Sequence, residues 1–189
     1  MYAYGDFAFH HIPKTGGSSV KRMLLTTELP FKNIGDSEKP KVHTPLSEQK
    51  EYLEKYEYIY TNIRNPFERI VSLYTFNTLR RKFGVPEASF DDFFYNHWYL
   101  NPDKSEWLLS TEEYLLVDGS IPKKVILFRL EDIDYIWPKI IKFHFGKEVL
   151  EIPRENTTLH GDSMEYFDTE MIKKVNEKEG WVLSFYNTF

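Results

Sequence analysis

The chain predicts an α/β fold, a parallel sheet with helices on both faces, and three observations carry this. Strand-like runs, one opening at Phe7 and two more at residues 58–63 and 125–128, are each followed by a turn and then by apolar residues at helical period. A length of 189 residues with no internal repeat, low-complexity tract or linker suits one domain spanning residues 1–189. Aromatic residues make up 17% of the chain, fifteen Phe and thirteen Tyr among them, enough for a large core without covalent staples.

The first unit, residues 7–20, reads Phe-Ala-Phe-His-His-Ile-Pro-Lys-Thr-Gly-Gly-Ser-Ser-Val. An apolar run with strand character meets a small-residue turn. Behind the turn, Val20, Met23, Leu24 and Thr27 fall on one helical face. Strand, turn and helix N-terminus together make an anion cradle, because the turn amides and the helix's first donors converge. Gly16 and Gly17 let the backbone approach a ligand closely. Lys14 adds a positive charge, and Thr15, Ser18 and Ser19 add hydroxyls. A Walker A loop places its lysine after the glycines and follows it with a hydroxyl for magnesium; here Lys14 precedes both glycines. The plainer alternative is a glycine-rich turn that binds nothing.

Residues 30–45 are polar and read as a loop, with a short extended piece at 41–43. Thr44 or Ser47 is placed to cap the next helix, with Pro45 in its first turn. The strand at residues 58–63 then runs into Arg64-Asn65-Pro66-Phe67-Glu68. Asn65 is an N-cap, Pro66 suits the first helical position, and Glu68 completes a capping box. This puts Arg64 at the carboxyl end of a strand, where ligands gather in open α/β sheets. A guanidinium there can fork onto a phosphate. Ser72 follows Arg64 by eight residues, two turns into the helix. His43 stands at a loop-to-helix junction, and an imidazole there can take a hydroxyl proton at neutral pH. His10 and His11, at the end of the first strand, read as structural or supporting.

Further on, Arg80, Arg81 and Lys82 form a basic cluster, read equally as a solvated helix end or as a patch for an anionic acceptor. Residues 89–98 predict a capped helix, and Trp98, Tyr99 and Trp107 read as core before sugar platforms. Short apolar pieces at 107–109 and 114–116 precede a turn at Asp118-Gly119. After the strand at 125–128, a helical pattern runs from Ile133 to Phe145 with Gly146 as its stop, and Pro138 predicts a kink or a later start. Glu131 and Asp132 read as helix N-terminal acids. Residues 153–162 form a polar loop, 167–179 an amphipathic helix, and 181–186 an apolar tail packing back on the core.

With no cysteine, disulfides, thiolate metal sites and a cysteine nucleophile are excluded. A net charge of −5 argues against a general nucleic-acid binder. No run reaches membrane-spanning length and the N-terminus lacks signal-peptide character, so a soluble, cytoplasmic protein of prokaryotic or viral type is expected.

Pro-Lys-Thr-Gly-Gly-Ser-Ser, together with Arg64 and Ser72, resembles the two phosphate-binding motifs of the sulfotransferases that use 3′-phosphoadenosine 5′-phosphosulfate (PAPS). His-Ile-Pro-Lys-Thr-Gly-Gly is most similar to the carbohydrate sulfotransferases related to heparan sulfate 2-O-sulfotransferase. The resemblance implies a three-layer, P-loop NTPase-like fold and transfer of a sulfuryl group from PAPS to a hydroxyl, on a carbohydrate, without a metal. It implies Lys14 and His43 as catalytic groups, the latter as base at the family's interval before Arg64. It implies Lys14, Thr15, Gly16, Gly17, Ser18 and Ser19 at the 5′-phosphosulfate, Arg64 and Ser72 at the 3′-phosphate, and a late loop, here Thr157, Thr158 and His160, closing over it. Golgi members of that group carry a membrane anchor, which is not seen here. Two other readings stay open: a small kinase using ATP and magnesium, and a nucleotide-binding module without catalysis.

Overall fold

A computed structural model describes residues 1–27, 32–33, 43–80, 88–99, 108–149, 151–154 and 161–188. The chain divides into two compact units, Met1–Arg64 with Tyr114–Thr157, and Asn65–Glu113 with Thr158–Phe189.

The first unit is built on a mixed sheet. Its strands are β1 (Tyr2–Tyr4), β2 (Phe7–Phe9), β3 (Lys32–Asn33), β4 (Tyr58–Ile63) and β5 (Val125–Arg129), in the order β3-β1-β2-β4-β5. β2, β4 and β5 are parallel, as the sequence predicts. β1 and β3 pair antiparallel, which corrects the expectation of an all-parallel sheet. The reason is local: Gly5 and Asp6 alone link β1 to β2, and Gly5 takes φ +51°, so the link closes a hairpin.

β2 is buried at all three positions, and Phe7 and Phe9 enter a core with Val20, Met23 and Leu24 of α1 (Gly17–Thr26) and Trp137, Ile140 and Ile141 of α6 (Ile133–Phe145). Phe9 meets Trp137 edge to face, with ring centroids 5.2 Å apart. α6 runs through Pro138 as one helix from Ile133, so the alternative of a later start is not observed. The carbonyl that Pro138 cannot serve belongs to Asp134, an exposed residue, so the lost bond leaves no acceptor sealed in the core. Gly146 ends the helix at φ +64°, its N–H donating to the Lys142 carbonyl. A short 3-10 turn, Leu46–Gln49, leads into α2 (Lys50–Lys55). Neither Thr44 nor Ser47 caps it: Pro45 occupies the N-cap position, without a side-chain bond. The Asp118-Gly119 turn is present, with both residues at positive φ.

The second unit holds α3 (Pro66–Arg80), α4 (Phe90–Asp92) continuing as a π-helical turn over Phe93–Tyr99, α5 (Thr111–Leu115, shared at its end with the first unit) and α7 (Thr169–Asn187). Asn65 caps α3 as expected, accepting from the Phe67 N–H at 3.0 Å, and Ser89 caps α4. Ser110 and Glu113 form a reciprocal capping box at α5. Trp98 is fully buried among Phe90, Phe93, Phe94 and Phe167, core as predicted. Arg81, Lys82, Trp107, Thr157, Thr158 and His160, and the Tyr99 side chain, lie outside the described residues, and Arg80 is described only as the last residue of α3.

α7 runs to Asn187 rather than ending at 179, and Trp181 is 38% exposed, so the tail is a helix with Val182 as its buried member. At Glu179 the backbone leaves helical geometry (φ −123°, ψ 17°). The Glu179 carboxylate, fully buried, accepts the Thr111 N–H with both oxygens (3.0 and 3.1 Å) and lies 3.6 Å from the buried Arg69 guanidinium. Burial pushes its carboxyl up to about 7 against the opposing pull of Arg69 and the Thr111 N–H.

Candidate functional site

The turn after β2 is held from below by two polar residues of β4. Thr61 donates its hydroxyl to the His10 carbonyl at 2.9 Å. Asn62, fully buried, donates Nδ2 to the Thr15 carbonyl at 3.1 Å, while its Oδ1 accepts from Trp137 Nε1 at 3.1 Å. The ladder also extends one step beyond β2, from the His10 N–H to the Tyr60 carbonyl. The turn is therefore fixed to both its neighbouring strand and α6. Sequence reasoning missed these tethers, although Asn62 in a strand of aromatic and β-branched residues is a β-disfavoured residue and in that sense a signal.

Within the turn, Lys14 adopts φ +66°, a left-handed conformation that a side chain resists. Thr15 is buried and spends its hydroxyl on the Ile12 carbonyl at 2.8 Å, so it braces the turn. Gly16 caps α1 at φ +80° with no side-chain cap, and no acidic residue occupies the helix's first turn. The Ser19 and Val20 amides return to the Gly16 carbonyl at 3.0 and 3.2 Å. The amides ahead of them form the positive end of a ten-residue helix. Both glycines have reasons in the protein's own structure, Gly16 in its φ of +80° and Gly17 in its packing. A Cβ on Gly16 would stand 2.3 Å from Leu130 Cδ1, and one on Gly17 would stand 1.9 Å from His11 Cδ2.

Three histidines lie beside this turn, two of them buried. His43 Nδ1 lies 3.1 Å from the His11 carbonyl, and a carbonyl only accepts. In the neutral ring Nδ1 therefore carries the hydrogen, and Nε2 carries the lone pair. The His43 and His11 rings meet edge to face at 4.4 Å. His10 Nε2 donates to the Thr44 carbonyl at 3.0 Å, a carbonyl that also accepts from Gln49 Nε2 at 3.1 Å. Burial drives His10 down to about 3. It drives His11 well below the usual imidazole range, with the charge of His43 reinforcing it. The expectation that these two are structural or supporting agrees with their burial.

Arg64 follows β4 directly and is half-buried, at the same carboxyl edge of the sheet as the turn after β2. Parallel neighbours lie about 4.8 Å apart, so the two features share one edge. The next strand end bears Arg129, which forks onto Asp132 (Nε to Oδ2 2.8 Å). Asp132 is thus an ion-pair partner ahead of α6, consistent with its reading as a helix N-terminal acid. Ser72 belongs to the second unit, buried in α3, where its carbonyl accepts from the Thr75 hydroxyl at 3.3 Å. Among the described residues, no group of three or more His, Asp or Glu is placed to hold a metal, and no helix is long and apolar enough to cross a membrane.

Residues 4–104, just over half of the chain, match the model of the sulfotransferase family. The chain belongs to that family. The matched span contains the glycine turn, His43, Arg64 and Ser72, whereas β5, α6 and α7 of this sulfotransferase lie beyond it. Searches of curated proteins and of solved structures found no match. Family membership gives the reaction class, transfer of a sulfuryl group to an acceptor.

Proposed function

We propose that this sulfotransferase uses PAPS as donor and a carbohydrate hydroxyl as acceptor, with His43 as the base. The reading extends to a three-layer, P-loop-like architecture and to kinship with the heparan sulfate 2-O-sulfotransferase group. The observation that carries it is the His43 Nδ1 contact to the His11 carbonyl, which leaves the lone pair on Nε2 while the same segment, Phe9 to Gly17, forms the anion cradle.

In the reaction, the acceptor oxygen attacks sulfur in line as its proton passes to His43 Nε2. The bond between sulfur and the bridging oxygen breaks, and PAP (3′,5′-adenosine diphosphate) departs with that bond's electron pair. Lys14 neutralises the charge appearing on the bridging oxygen. The amides of Thr15, Gly16, Gly17 and Ser18 hold the 5′-phosphate, with the Ser18 and Ser19 hydroxyls beside them, and the Ser19 amide is left to the helix. Arg64 supplies a fork for the 3′-phosphate. Ser72 is its partner in the family resemblance, and Ser72→Ala tests that role separately. Lysine, amides and helix dipole supply the positive field in this scheme, so no metal is invoked. The cluster around Arg80, Arg81 and Lys82 remains the proposed acceptor patch.

Thermal shifts with PAP, ATP and ATP–Mg²⁺ test the donor, since a ligand stabilises in proportion to its occupancy. A shift with PAP, followed by PAPS turnover on a saccharide panel, is the expected outcome. A shift confined to ATP–Mg²⁺ would make the protein a kinase, and PAP binding without turnover on any acceptor would make it a non-catalytic module. His43→Ala should retain PAP binding and lose turnover; an active variant removes the base assignment.

A further inference from the structure

His11 touches both halves of the proposed chemistry. Its carbonyl takes the His43 Nδ1 hydrogen at 3.1 Å, and its ring meets the His43 ring edge to face at 4.4 Å. The same ring occupies the space a Cβ would need on Gly17, the first residue of α1: that atom would fall 1.9 Å from Cδ2 and 2.1 Å from Nε2. Behind it the ring lies nearly parallel to Phe9, at 5.9 Å and 19°. Tyr2 closes the stack at 6.3 Å. The residue is 7% exposed. A buried ring in contact with His43, Gly17 and Phe9 transmits position, because close-packed interiors leave it no other place to go.

We propose that His11 is a positioning residue, a wedge that fixes the His43 base at a set distance from the N-terminus of α1, where the donor phosphate is held. This rests on the proposed role of His43. The wedge must also be uncharged, since a second imidazolium would oppose protonation of His43 during turnover. The surroundings meet this need: burial first, and then the neighbouring His43, disfavours the protonated form of His11. His11 Nδ1 is itself buried without a hydrogen-bond partner. A ring whose nitrogen forgoes a bond is being kept for its shape and its place.

The test compares wild type, His11→Ala, Gly17→Ala and the double variant by PAP calorimetry, PAPS turnover on the saccharide panel, and long-range ¹H–¹⁵N spectra of the histidine rings. The wild-type spectrum should show His43 as the Nδ1–H tautomer. In His11→Ala, PAP affinity should stay within about threefold while kcat falls at least about tenfold. The His43 titration midpoint should move and its second tautomer appear. Gly17→Ala should lose at least about tenfold in PAP affinity as its methyl meets the His11 ring, and the double variant should recover that affinity without recovering turnover. His11→Asn repeats the measurement should His11→Ala fail to fold. An unchanged His43 tautomer and midpoint with wild-type kcat in the His11 variant overturns the proposal. Turnover surviving in His43→Ala instead removes the base, while the spectra still report whether His11 positions that ring.

Discussion

Truncating Asn62 is the most informative single change in the first unit. Its amide is fully buried and uses both ends, accepting from Trp137 Nε1 and donating to the Thr15 carbonyl, each at 3.1 Å. Trp137 and Thr15 are themselves fully buried, so Asn62→Ala leaves an indole N–H and a carbonyl that water cannot readily reach. Each orphaned group costs about 1–3 kcal/mol, so the expected loss is about 2–6 kcal/mol, a large share of a typical domain's stability. Urea unfolding followed by Trp fluorescence reads this directly, and PAP calorimetry on the folded fraction reads the slackened turn. Asn62→Asp separates the two contacts. It keeps the acceptor for Trp137 but sets a buried carboxylate against the Thr15 carbonyl, so it should lose at least as much despite its matching shape. A loss below about 1 kcal/mol in Asn62→Ala, or an Asp variant as stable as wild type, would refute the claim that this amide holds the turn.

Lys14→Ala and Lys14→Gly should both abolish PAPS turnover, yet the Gly variant should be more stable than the Ala variant by about 1 kcal/mol, because position 14 sits at φ +66°; equal urea midpoints would contradict it. Arg64→Ala should weaken PAP by about 10- to 100-fold and AMP far less, by calorimetry, and equal losses would deny it the 3′-phosphate. Acid should destabilise the fold through His10. The unfolded ring takes a proton near 6.5 and the buried ring only near 3, so its contribution is complete above 6.5 and drains as pH falls toward 3. His10→Gln keeps a donor for the Thr44 carbonyl and removes the titration, so its stability should fall less steeply with acid; parallel curves would exclude His10 as the cause.

The central fold was legible because its signals are local. The run at 58–63 is β4 as predicted, and Asn65-Pro66 starts α3 as capping chemistry requires. The misses have physical causes. Gly5-Asp6 is a hairpin link, but three residues on each side of it carry too little pattern to outweigh a reading that begins at Phe7. β3 has two residues and no pattern at all. At Pro138 a single intrahelical bond, to the carbonyl of exposed Asp134, is a small loss for a helix whose buried side carries Ile133, Trp137, Ile140 and Ile141. At the site, the motif residues were visible, whereas what holds them was not. Asn62, Thr61 and Leu130 act across the chain, and the glycines at 16 and 17 answer to Leu130 and His11, neighbours that only the fold brings together.

Those cross-chain tethers carry a consequence for the order in which the protein assembles. Thr61 reaches back 51 residues to His10, and Asn62 reaches back 47 to Thr15. Parallel β2 and β4 cannot meet until the chain between them has closed, and long-range closure of this kind is slow. A nascent or partly folded chain can form α1 and the β1–β2 hairpin from nearby residues alone, yet its glycine turn has nothing beneath it until β4 docks. The cradle therefore belongs to late folding. A chain stalled before that step would expose the uncovered edge of β2, with its run of three apolar residues, as a template for another strand.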